Sequence, residues 1–230
     1  MKGAGWASPS VRDGIGRMLE QRSRLLERGE EMIGWKLGFG APRWLEKFDL
    51  AGPLVGFLPE SKAHRSDATV SCRGWANPVA EPEIAVHLGR NVDDPDRVAE
   101  AISGLGPAIE LADVDPPPED IRQVLAGNIY HRGLILGDPG PKPADVDLTG
   151  MRARVTRNGS QVADTTDLET LTGEMVPILS HTAALLASAG ERLRAGEVVI
   201  LGSVIPPLPL QPGDEIGFEL VPLPPIRVRV

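Results

Sequence analysis

Apolar positions recur at helical spacing in the first part of the chain. Ser8-Pro9 supplies an N-cap with proline at the first helical position, and Val11, Ile15, Met18, Leu19, Leu25 and Leu26 follow until Gly29. Residues 32–38 then predict a strand with Lys36 in its middle, and residues 42–48 a short helix with Trp44, Leu45 and Phe48 as its apolar side. A turn at Gly52-Pro53 leads into an apolar segment ending at Leu58, whereas residues 60–67 are polar and read as loop. Residues 79–88 read as a buried strand. Asp94-Pro95 opens a short helix that carries Val98, Ala99 and Ile102 and ends at Gly104. Residues 107–113 form another apolar strand, stopped by Pro116-Pro117-Pro118, and a helix follows from about Glu119 to Ala126. A turn at Gly127-Asn128 precedes a compact strand over residues 134–137.

In the last third, residues 151–157 alternate, Asn158-Gly159 is a strong two-residue hairpin signal, and residues 161–163 form the return. Residues 177–189 predict a helix that is apolar on much of its surface, and residues 197–201, 215–220 and 226–230 predict three closing strands. Strands outnumber helices and do not alternate regularly with them, so the expected class is α+β rather than a doubly wound sheet.

Composition narrows the function classes. The chain has 230 residues, enough for one large domain or a domain plus a small cap. Its 32 Asp and Glu against 24 Lys and Arg argue against nucleic acid or an anionic membrane as partner. A single cysteine, Cys72, excludes an internal disulfide and a cysteine-rich zinc site. The first ten residues lack a signal-peptide core, and the apolar run over residues 198–210 is broken by Pro206, Pro207 and Pro209. A cytoplasmic protein with no membrane span is the expectation.

Three acids stand where apolar residues would be expected. Glu81 and Glu83 share one face of a strand, roughly 7 Å apart at Cα. At an effective dielectric of about 20 their charges repel by about 2 kcal/mol, so a cation or a proton must intervene unless water reaches them. Glu110 lies inside the strand over residues 107–113. A buried carboxylate takes up a proton or finds a cation, and either a Lys or Arg partner or a shared metal answers that need. Oxygen-only ligation would favour Mg²⁺ or Mn²⁺ over Zn²⁺. Lys36, with Gly34 and Gly38 nearby, is either a snorkelling surface residue or a cation aimed at a pocket. Asn128 reads as a turn residue, and His87, His131, His181 and Cys72 receive no role.

Taken in order, these segments resemble the fumarylacetoacetate hydrolase superfamily, in its 2-keto-4-pentenoate hydratase and oxalocrotonate decarboxylase branch. The matching pieces are Gly34-Trp35-Lys36-Leu37-Gly38, Gly52-Pro53-Leu54-Val55-Gly56, Glu81-Pro82-Glu83-Ile84-Ala85, Pro107-Ala108-Ile109-Glu110, the Asn128 turn, residues 193–203, and Pro212-Gly213-Asp214. The resemblance implies a mixed β-roll core with flanking helices: residues 1–50 as a small helical cap plus first strand, and 51–230 as the β-rich catalytic part of effectively one unit. It implies a homo-oligomer, a small 2-oxoacid substrate, and Mg²⁺ or Mn²⁺ held by Glu81, Glu83 and Glu110. Lys36 and Glu60 would be catalytic, and Asn128 and Ser203 would bind substrate. The implied reaction is hydration of a 2-hydroxydienoate or 2-oxoenoate to a 4-hydroxy-2-oxoacid. A 2-oxoacid decarboxylase, an acylpyruvate hydrolase and a diverged non-catalytic homologue are the alternatives. Two departures lie near the implied pocket. The family's Asp-Ser-Arg is Asp113-Val114-Asp115 here, and its Ala-Asp-Asn is Ala126-Gly127-Asn128.

Overall fold

A computed structural model describes residues 8–141 and 147–230. Most of the first ten residues, read above for a leader, lie outside that range. Among the described residues, α1 (Pro9–Glu27), α2 (Pro42–Phe48), α3 (Val98–Ala101), α4 (Ile121–Ala126) and α5 (Met175–Ser188) surround two sheets. In the larger, β1 (Met32–Gly38), β2 (Leu54–Pro59), β3 (Ala63–His64), β5 (Pro78–Leu88), β6 (Ile102–Asp113), β7 (His131–Leu136) and β10 (Val198–Ser203) run in the order β2-β1-β10-β5-β6-β7-β3, with β11 (Leu208–Pro209) on β5. The smaller contains β4 (Ala68–Thr69), β8 (Arg152–Arg157), β9 (Ser160–Thr165), β12 (Glu215–Val221) and β13 (Ile226–Arg229), in the order β4-β13-β12-β8-β9.

The local reasons for these elements are legible. Ser8 caps α1 by accepting from the Val11 amide, and Asn158-Gly159 turns β8 into β9 with positive φ at both residues, as a type I′ turn requires. The large sheet is buried on both faces. Ile84, Val86, Ile109 and Leu111 join a core that also takes in α1, α5 and the small sheet. Ala85, Ala108, Leu134, Val198 and Ile200 pack with Leu58 on the opposite face. Alternation puts Lys36, Glu83 and Glu110 on that second face, at its polar end. Residues of α1 (Val11, Ile15, Met18) enter the first core, and Arg22 ties the helix down by pairing with Glu191 at 3.0 Å and stacking over Trp35.

Two sequence expectations change. Ile102 and Gly104 open β6 rather than close a helix: α3 is only four residues long, and Ile102 pairs with Leu88 across the sheet. The 60–67 segment contains a 3₁₀ turn (Glu60–Lys62) and the short strand β3, paired in parallel with β7. Two-residue strands such as β4 and β11 carry no periodicity to read; pairing with a neighbour creates them.

Candidate metal centre and its cavity

Antiparallel pairing of β5 with β6 sets Glu81 directly opposite Glu110 and Glu83 opposite Ala108. Like charges facing one another across a sheet are destabilising unless something answers them. Each of Glu81, Glu83 and Glu110 offers a carboxylate oxygen, and these oxygens lie within 4.8 Å of one another. Glu83 and Glu110 are buried, and Glu81 is partly exposed toward the cavity.

The three carboxylates differ in what supports them. Glu110 Oε1 accepts from the Lys36 ammonium and contacts His131 Nδ1 at 2.7 Å. Burial alone would raise the Glu110 pKa, but Lys36 and His131 hold it below its ordinary value. Glu83 Oε2 accepts from the Gly202 amide at 2.7 Å. Burial, then the charges of Glu110 and Glu81, push Glu83 well above the usual carboxylate range. Burial and Glu110 likewise push Glu81 up, to about 7. An uncompensated cluster of this kind favours binding protons, and a divalent cation satisfies it at neutral pH.

The fit to such a cation has a direct structural sign. Glu110 Oε2 is buried without a hydrogen-bond partner among the described residues. A charged oxygen in that condition is costly, and a cation shared with Glu81 and Glu83 would relieve it. The donors are all oxygens, which suits a hard ion.

Lys36 is buried, its side chain 2% exposed, so it does not snorkel to solvent. Its ammonium donates to Glu110 and, at 2.9 Å, to the Ile129 carbonyl. Room for it comes from Gly56, where an added Cβ would sit 2.6 Å from Asn128 Oδ1 and 3.0 Å from Lys36 Cγ. The Asn128–Tyr130 turn has positive φ at all three residues, 53°, 49° and 64°, and so aims the Ile129 carbonyl at Lys36.

Lys36, Glu81, Glu83 and Ser203 line a cavity of about 350 Å³. Phe39, Trp44, Ile129, Leu171, Ile205 and Pro206 supply apolar wall. Ser203 Oγ donates to the Pro82 carbonyl at 3.4 Å. Two expected residues stand apart. Asn128 spends its side chain on Phe57, accepting from the amide at 2.8 Å and donating to the carbonyl at 2.9 Å, and it does not line the cavity. Glu60 is exposed at the 3₁₀ turn, in a different depression beside Glu30 and Glu31. Strand register explains this: the chain leaves the large sheet at Pro59, so Glu60 emerges at the edge away from Glu83.

His131 is the residue that sequence reading passed over. A lone histidine at the start of a short strand carries no signal; only the β6–β7 pairing brings it to Glu110.

Comparison with known proteins places the chain in a family. The family model described as fumarylacetoacetate (FAA) hydrolase C-terminal matches residues 42–230, and the chain belongs to that family. It is 28% identical over 201 residues to 2-hydroxyhexa-2,4-dienoate hydratase of Comamonas testosteroni, covering 84% of this chain and 75% of that protein. It is 27% identical over 219 residues to 4-oxalocrotonate decarboxylase of Pseudomonas putida, covering 91% and 81%. The structure of 4-oxalocrotonate decarboxylase from Pseudomonas putida G7, complexed with magnesium and adipate, superposes with a TM-score of 0.85 at 24% identity, covering 95% of this chain and 85% of that one. The fold is thus the curled mixed sheet of that family. Among the described residues no helix is long and apolar enough to cross a membrane.

Proposed function

We propose that the protein is a divalent-cation-dependent lyase that hydrates a small 2-hydroxydienoate or 2-oxoenoate to a 4-hydroxy-2-oxoacid. The observation that carries this reading is the convergence of Glu81, Glu83 and Glu110 beside Lys36 at one end of an apolar-walled cavity. The hydratase relatives support the reaction class. Mg²⁺ or Mn²⁺ is the ion that an all-oxygen donor set suits, and the decarboxylase structure from Pseudomonas putida G7 holds magnesium.

Glu81, Glu83 and Glu110 would hold the cation, which when bound supplies positive charge where an enolate oxygen develops. Lys36 keeps Glu110 ionised and adds a second cation at the same end of the cavity. Gly202 holds Glu83 in place through its amide, and Ser203 offers a hydroxyl to the substrate carboxylate. The apolar wall limits how much water reaches the substrate's carbon skeleton. For a 2-hydroxydienoate, ketonisation takes the proton from the 2-hydroxyl and places one on C5; water then adds its hydroxyl to C4 and a proton to C3. Glu60 stands outside the cavity, while Lys36, Tyr130 and Ser203 are among the groups on its wall that carry exchangeable protons.

One observation favours a longer, dicarboxylic substrate. Arg43 lines the cavity, stacks 5.1 Å from the Trp44 ring centre, and has no ion-pair partner among the described residues. Steady-state turnover of 2-hydroxypentadienoate and of a dicarboxylic 2-hydroxydienoate, each with Mg²⁺ or Mn²⁺, tests both readings. A 4-hydroxy-2-oxoacid product supports hydration, and carbon dioxide release supports decarboxylation. No turnover of any 2-oxoacid by cation-loaded protein rejects the enzyme reading. A homo-oligomer in the cytoplasm is the setting this family reading implies.

A further inference from the structure

Every buried polar contact of Glu110 is made by one of its two oxygens. Lys36 and His131 both engage Oε1, while Oε2 has no partner among the described residues. A glutamate has three rotatable bonds, and Lys36 alone could bind either oxygen.

We propose that His131 is a positioning residue: it donates Nδ1–H to Glu110 Oε1 and so presents Oε2 to the cation. The inference rests on the reading of the three glutamates as a cation site. The ring itself supplies the argument. His131 is the first residue of β7, its side chain 2% exposed. At 2.7 Å from a carboxylate that Lys36 keeps ionised, Nδ1 must carry the hydrogen. Nε2 is then an unprotonated acceptor, and it is buried with no hydrogen-bond partner among the described residues. An orphaned buried acceptor of this kind is unfavourable. A leucine would fill the space without that cost. The imidazole's polar return is its bond to Glu110. The backbone aims the ring: the left-handed turn over Asn128, Ile129 and Tyr130 is clamped to Phe57 by Asn128, and β7 begins immediately after it. The same turn delivers the Ile129 carbonyl that orients Lys36, so both donors to Oε1 are set by one segment. Partners of this sort orient a ligand and typically change metal affinity about 10–100-fold.

The test is a titration of Mn²⁺ or Mg²⁺ into metal-free full-length protein, read by calorimetry and by thermal shift, for wild type and three variants. In His131→Asn the amide nitrogen stands near the Nδ1 position; in His131→Gln it reaches toward Nε2; His131→Leu removes the donor. The expected result is a Kd within about threefold of wild type for Asn and weakened about 10–100-fold for Gln and Leu. Should the Leu variant fail to fold, the Asn and Gln pair carries the same contrast. Equal affinity in Asn and Gln, or a Leu variant that binds like wild type, overturns the positioning role while leaving the cation site standing. Wild type that binds neither ion overturns both.

Discussion

Replacing Glu83 by Gln should make the cation-free protein more stable while abolishing its response to cation. The carboxylate oxygens of Glu81, Glu83 and Glu110 lie within 4.8 Å of one another, and a charge pair at that distance repels by about 3 kcal/mol at an effective dielectric near 20. Lys36 offsets part of this, and Glu81 is partly exposed to solvent, so about 1–3 kcal/mol is the net relief expected on removing one charge. Glutamine keeps an oxygen for the Gly202 amide, so no hydrogen bond is lost there. The pH dependence carries the sign. Glu83 is raised in the folded state and Glu81 is raised from 4.5 to about 7, so folded protein binds protons more tightly than unfolded protein. Cation-free wild type therefore loses stability as pH rises from about 4.5 through 7, and the variant loses less. Thermal melts in chelator at pH 8 should put Glu83→Gln above wild type by roughly 2–4 °C for each kcal/mol gained. Saturating Mg²⁺, at about 100 times its Kd, should raise wild type by about 2.7 kcal/mol and the variant scarcely at all. A cation-free variant less stable than wild type, or an undiminished Mg²⁺ shift, refutes the electrostatic reasoning.

Asp214 makes the opposite kind of prediction. Its bond from Arg157, then those from the Gln211 amide and Asn158, pull its pKa from 3.8 down to about 2. The resulting stability, up to about 2 kcal/mol, is fully present above the unfolded value and lost as pH falls toward 2. Urea unfolding of Asp214→Asn should show a flatter acid limb, and an unchanged limb would remove Asp214 as its source. Asn128→Ala strips both hydrogen bonds from the buried Phe57 backbone and should cost about 2–4 kcal/mol in urea. A loss below about 1 kcal/mol would mean that the turn holds itself without the clamp. Arg43→Gln should lower kcat/KM for a dicarboxylic substrate about fivefold, the ~1 kcal/mol of an exposed ion pair, and leave a monocarboxylic one unchanged. Equal losses on both substrates would assign Arg43 to the wall and not to specificity.

Periodicity and punctuation sufficed for most elements, because they are local. The helix behind Ser8-Pro9, the 32–38 strand, the Asn158-Gly159 hairpin and the closing strands all rest on neighbours within a few residues. The acids at 81, 83 and 110 were visible for the same reason: a carboxylate in an apolar strand breaks the local pattern wherever its partner lies. Strand pairing decided the rest. It set Glu81 opposite Glu110, brought His131 to Glu110 Oε1, buried Lys36, extended β6 back to Ile102 and carried Glu60 out to a sheet edge. Register joins residues far apart in the chain, and no one stretch of sequence contains both partners of such a contact. Which oxygen of Glu110 is left without a partner among the described residues is therefore a property of the folded sheet alone.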